Sequence, residues 1–134
     1  MEKKFVVRPA DAIQGTMQGG KGTFRIVIDE QTCGAHHFSL LINTLQRGTR
    51  TGSHQHEEES CLYILSGGCT VTLEDKPFPM EAQAAVFIPP RTMHRIDVSP
   101  EEDLTYMMIY APPGPEQSLK SRGEYLFYSE QTSQ

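Results

Sequence analysis

The stretch Cys61-Leu62-Tyr63-Ile64-Leu65-Ser66-Gly67-Gly68-Cys69-Thr70-Val71-Thr72-Leu73-Glu74 decides the fold class. Residues 61–65 and 70–74 are short runs rich in β-branched and aromatic side chains, the composition that suits a pleated, half-buried strand. Ser66-Gly67-Gly68 lies between them, and glycine supplies the positive φ of a tight reversal, so the spacing predicts a hairpin. Similar segments recur on both sides, at 5–7, 24–29, 38–45, 84–88, 94–98 and 104–111. Asp75-Lys76-Pro77 marks the next reversal, and Pro89-Pro90, which lack backbone donors, end the strand at 84–88. Only 11–17 and 115–122 read as helical, the second with Pro115 in its first turn and Gly123 as a C-terminal cap. Many short strands with turn signals between them predict an all-β domain, an antiparallel β-barrel or jelly roll whose closure covers the sheet edges.

The chain has 134 residues, enough for one domain over 1–134 with its own core, and 37% of them are hydrophobic. Twelve basic against seventeen acidic side chains leave a net charge of −5, and the Lys and Arg are scattered singly. A phosphate-backbone partner needs a basic stripe, so nucleic acid is excluded as a partner. No apolar run approaches the ~20 residues that span a bilayer, so no membrane-crossing helix is expected. The start, Met1 to Pro9, is interrupted by Arg8 and Pro9 before any signal-peptide core forms, and the reading is a cytoplasmic protein. Cys33, Cys61 and Cys69 match neither a CxxC pair nor a disulfide framework and are read as reduced thiols.

The chemistry concentrates in Gly48-Thr49-Arg50-Thr51-Gly52-Ser53-His54-Gln55-His56. Two histidines at i and i+2 share one face of an extended segment, and imidazole is the commonest protein ligand for divalent transition metals. His94, where the chain re-enters the sheet after Pro89-Pro90-Arg91-Thr92-Met93, supplies a third donor.

Together these residues resemble the cupins over a motif core of about 38–111. The first motif of that family, Gly-x5-His-x-His-x(3 or 4)-Glu-x6-Gly, is matched by Gly48, His54, His56 and Gly67; the second, Gly-x5-Pro-x-Gly-x2-His-x3-Asn, by Pro89 and His94. The resemblance implies a small antiparallel β-barrel or double-stranded β-helix, with one divalent transition metal (Fe, Zn, Ni or Mn) held near its mouth by His54, His56 and His94. It also implies dioxygenase, isomerase or lyase chemistry on a small oxygen-rich organic acid or carbonyl compound. The alternative is a non-catalytic sensor that binds a small molecule, with or without metal.

Two departures stand out. The second motif has Gln83, Arg91 and Val98 where the family has Gly, Gly and Asn. In the first motif Ser60 occupies the position of the usual fourth ligand, a Glu. Ser60 shares the parity of His54 and His56, whereas Glu59 has the opposite parity and points away from a regular strand's metal face unless a bulge intervenes. Glu59 is therefore kept as a candidate fourth ligand or general base, and Glu57 and Glu58 as part of a solvated charge run. An ion held by imidazoles alone keeps its full 2+ charge, so anionic ligands are expected to bind it.

His36 and His37 read as solvated loop residues, and Arg91 and Arg95 as surface residues flanking His94. Residues 104–111 are apolar on both faces, as are 24–29 in part, which suggests cover by a second sheet or by a second copy of the chain; a homodimer is expected.

Overall fold

In the computed structural model, which describes residues 4–122, the opening stretch does not form a hairpin. Strand β4 (Glu59–Ser66) and strand β5 (Cys69–Leu73) belong to different sheets. Ser66-Gly67-Gly68 is a corner: Gly67 has φ +87°, and a Cβ there would stand 2.2 Å from the Asp103 carbonyl oxygen, so only glycine lets the chain pass that backbone.

The remaining elements are β1 (Ile13–Met17), β2 (Gly22–Ile28), α1 (Glu30–Cys33), β3 (Ser39–Leu45), β6 (Lys76–Met80), β7 (Ala85–Ile88), β8 (His94–Val98), β9 (Leu104–Ala111) and α2 (Pro115–Arg122). They form a six-stranded sheet ordered β1-β2-β3-β9-β4-β7 and a three-stranded sheet ordered β6-β5-β8, with every pairing antiparallel. The expected barrel or closed jelly roll is thereby corrected. Strands β1 and β7 are opposite edges of the large sheet and do not pair, so neither sheet closes on itself. Proline chemistry helps keep the edges open: Pro77 and Pro79 remove two donors from β6, which an edge strand tolerates, and Pro89-Pro90 stop β7 after Ile88.

Other expectations change as well. The helix expected at 11–17 is a 3-10 turn (Pro9–Asp11) followed by β1, whose residues pair in register with β2 from Ile13↔Ile26 to Met17↔Gly22. Tertiary pairing there overrides a weak local helical pattern. Residues 5–7 form no strand. The reversal assigned to Asp75-Lys76-Pro77 falls one residue earlier, at Glu74 and Asp75, both at positive φ, and Lys76 already pairs with Leu73. The short helix α1 was not anticipated; Asp29 caps it by accepting from the Thr32 N–H at 2.8 Å, and Gly34 ends it. The Gly123 cap and the polar tail at 130–134 lie outside the described residues.

One core fills the space between the two sheets. Leu41, Leu45, Leu62, Ile64, Leu104, Tyr106 and Met108 face inward from the large sheet, Val71, Ile96 and Val98 from the small one, and Leu119 from α2. Each such side chain contributes roughly 1.5–3 kcal/mol through burial. All three cysteines are free thiols. On the large sheet's outer face, Cys61, Ile109 and Leu40 form one cross-strand row and Tyr63, Met107 and Ile42 another, all half-buried, with exposed Phe87 beside Cys61.

Residues 48–56 run antiparallel to β8 and extend the small sheet. Val98 N–H donates to Thr49 O, Thr51 N–H to Ile96 O and His54 N–H to His94 O, and the His94 N–H returns a bond to His54 O. The motif histidines are thus set on a ladder.

Candidate metal centre

His54 and His94 face each other as a bridged antiparallel pair, and His56 lies two residues further along the same extended segment. Its carbonyl receives the Arg91 N–H at 2.8 Å, which ties the segment to the turn before β8. The ring centroids stand 4.3 Å apart for His54 and His94, 5.1 Å for His56 and His94, and 5.9 Å for His54 and His56. One ligand nitrogen from each ring lies within 4.8 Å of the other two.

Backbone carbonyls orient all three rings. His54 Nδ1 stands 3.2 Å from Gly52 O, His56 Nδ1 3.0 Å from Glu58 O, and His94 Nδ1 2.8 Å from Thr92 O. A carbonyl only accepts, so the proton sits on Nδ1 and the lone pair on Nε2, the tautomer a metal ligand requires. The Nε2 atoms of His56 and His94 are buried and make no hydrogen bond among the described residues. A buried acceptor without a partner is costly; two converging on one point fit a divalent ion.

Burial holds the His54 and His94 rings neutral. Desolvation is the main cause that depresses His54 to a pKa of about 4, with the neighbouring His56 adding to it against the Gly52 hydrogen bond. Burial likewise depresses His94 to about 3, reinforced by His54. Neutral imidazole is the form that ligates. Tyr110 closes the inner side, its ring 5.4 Å from that of His56 and edge-on to it.

Ser60 is buried on the inner face of β4, opposite Tyr110, and its hydroxyl makes no hydrogen bond among the described residues. Glu59 is exposed on the outer face and does not join the histidine cluster; it lines a separate shallow recess with Cys61, Phe87 and Ile109. Exposed Arg91 pairs with Glu57 at 3.0 Å, and Arg95 with Asp97. His36 and His37 are exposed loop residues.

The residue missed from sequence is Glu58. With His54, Gln55, His56, Gly114, Pro115 and Ser118 it lines a recess of about 380 Å³ against the histidines. Reading the charge run as one solvated block hid it. Its parity, shared with His54, His56 and Ser60, was the available signal.

Helix α2 forms the far wall and is held by buried polar groups. Glu116 accepts from the Ser39 hydroxyl at 2.8 Å and from the Gly114 N–H at 2.9 Å, and Lys120 pairs with the fully buried Asp29.

A family profile described as a cupin domain matches residues 41–110. The polyketide synthase CurC of Streptomyces cyaneus is 26% identical over 99 residues, covering 73% of this chain; the chain spans 64% of that relative's length. Among solved structures, the polyketide cyclase RemF from Streptomyces resistomycificus superposes with a TM-score of 0.69 at 24% identity, covering 84% of this chain and 81% of RemF. KdgF from Halomonas sp. gives 0.73 at 18% identity, covering 85% and 98%. At these identities the two structures establish a shared fold.

Proposed function

Since the chain belongs to the cupin family, its profile matching just over half of the residues, we propose that it is a metal-dependent enzyme acting on a small oxygen-rich carbonyl compound. The favoured class is a chain of alternating carbonyls of the polyketide kind. The observation that carries this reading is the convergence of His54, His56 and His94, two of them with buried Nε2 atoms that no group among the described residues satisfies. CurC and RemF, a polyketide synthase and a polyketide cyclase by name, supply the substrate class.

His54, His56 and His94 would hold the ion. When bound, a divalent ion there polarises a carbonyl oxygen as a Lewis acid and raises the acidity of hydrogens on the adjacent carbon. The protein's own part is orientation and exclusion of water. Backbone carbonyls hold each ring through Nδ1, Tyr110 and the core seal the inner side, and α2 walls the recess where substrate enters. Preorganised groups in a partly dry site act more strongly than the same groups in water.

The test is isotope exchange. Protein loaded singly with Zn(II), Ni(II), Mn(II) or Fe(II) is incubated in D2O with a linear 1,3,5-tricarbonyl compound, and exchange and cyclisation are followed by NMR. At least one loaded form should accelerate exchange well above free metal, and His56→Ala should abolish it. Binding of the compound with no acceleration by any loaded form would favour the sensor reading.

A further inference from the structure

The recess beside the histidines carries one charged side chain, and its sign has consequences for what enters. Glu58 is the only ionic residue among the lining residues; no Lys or Arg is among them. The nearby cations are engaged elsewhere, Lys120 with Asp29 and Gln31, and Arg91 with Glu57. Apart from the ion itself, a substrate carboxylate in this recess would meet no cationic side chain among the lining residues. It meets a carboxylate instead.

Glu58 also lies close against the centre, its side chain only 21% exposed. Its backbone carbonyl is the acceptor that orients His56, and its side-chain Oε1 lies 3.9 Å from His56 Nδ1. Its Oε2 packs against Gly114, where an added Cβ would stand only 2.4 Å away, so the carboxylate occupies space that any larger residue at 114 would take. An ionised carboxylate offers acceptors and no donor. The complementary group on a ligand is a hydroxyl.

We infer that Glu58 tunes specificity at this centre: it accepts a hydrogen bond from a hydroxyl, phenol or enol of a neutral carbonyl compound and disfavours substrates that present a carboxylate at the same place. The inference rests on the metal-centre reading above and narrows it to carbonyl compounds that present a hydroxyl, phenol or enol to Glu58. It also qualifies the expectation that anions bind well: the ion attracts a carboxylate, while Glu58 opposes one placed beside it. Two like charges about 6 Å apart at an effective dielectric near 40 repel by roughly a factor of ten in binding. A carboxylate ligand should be penalised by about that much.

Two probes of one skeleton test it: 2-hydroxyacetophenone, neutral with a phenol beside a ketone, and salicylate, its carboxylate counterpart. Dissociation constants for both are measured by calorimetry on Zn(II)-loaded wild type, Glu58→Gln and Glu58→Lys, with metal content determined for each sample. The neutral probe should bind wild type at least as tightly as it binds Glu58→Gln. Glu58→Gln should strengthen salicylate binding about tenfold with zinc content unchanged, and Glu58→Lys should strengthen it further. An unchanged preference in both variants overturns the inference, as does failure of the loaded wild type to bind either probe. Loss of zinc from Glu58→Gln would make Glu58 a ligand and also overturns it. Failure of the metal-centre reading looks different: chelator-stripped wild type would then bind both probes as tightly as the loaded protein.

Discussion

Lys120→Met should loosen α2 and open the recess. Asp29 is fully buried, and Lys120 is its cationic partner on the helix, itself mostly shielded. The substitution leaves a buried carboxylate with its Thr32 bonds and a long 3.5 Å contact from Gln117. Breaking a buried pair from one side costs about 3–5 kcal/mol, and the surviving Thr32 bonds reduce this to about 2 kcal/mol. For a domain of this length that is near 8 °C in Tm. The pair also fixes a pH dependence. Burial alone would raise the Asp29 pKa, but Lys120 and Thr32 outweigh it and hold the carboxyl below its ordinary value. A carboxylate depressed on folding adds stability that is present above about pH 4 and lost as pH falls through the folded pKa. Urea titrations of wild type and Lys120→Met from pH 7 to pH 3 measure both effects. The variant should be weaker at pH 7, and the gap should shrink toward pH 3. A variant within about 0.5 kcal/mol of wild type at pH 7, or a gap that widens in acid, would refute the reasoning.

Ser60→Glu places a carboxylate on the buried inner face of β4, so the metal-free variant should lose several kcal/mol, and added Zn(II) should restore more stability than it gives wild type; equal shifts in thermal melts would remove Ser60 from the centre's surroundings. Glu59→Gln, on the opposite face, should leave metal affinity unchanged by calorimetry. Gly67→Ala should cost more than about 2 kcal/mol in chemical denaturation, because both its positive φ and the Asp103 carbonyl oppose a side chain. Pairing of two chains through the half-buried outer rows of the large sheet should give twice the 15.0 kDa chain mass in sedimentation at high micromolar concentration, and Phe87→Glu should reduce it.

How much of this was legible beforehand depends on which physical rule governed each segment. Strands β8 and β9, and the start of the last helix at Pro115, were readable to the residue, because alternation and proline punctuation mark them. The three-histidine cluster was readable from parity and from the family spacing. Sheet membership was not. A glycine-rich corner and a glycine-rich hairpin share the same local chemistry, and only the approach of Asp103 to Gly67 distinguishes them. Strands β1 and β6 were hidden for different reasons. The first is short and half-exposed, so its pairing with β2 is its main support; the second carries two prolines that an edge tolerates and an interior strand does not. Glu58 was obscured by its acidic neighbours, although its parity already matched His54 and His56.

Metal stoichiometry at the triad tests the central claim most directly. Protein purified, stripped with chelator, reloaded with Zn(II) and dialysed should retain close to one ion per chain by elemental analysis. His54→Ala, His56→Ala and His94→Ala should each retain far less, while Glu59→Gln retains the wild-type amount. Stoichiometric zinc in all three histidine variants after the same dialysis would contradict the account.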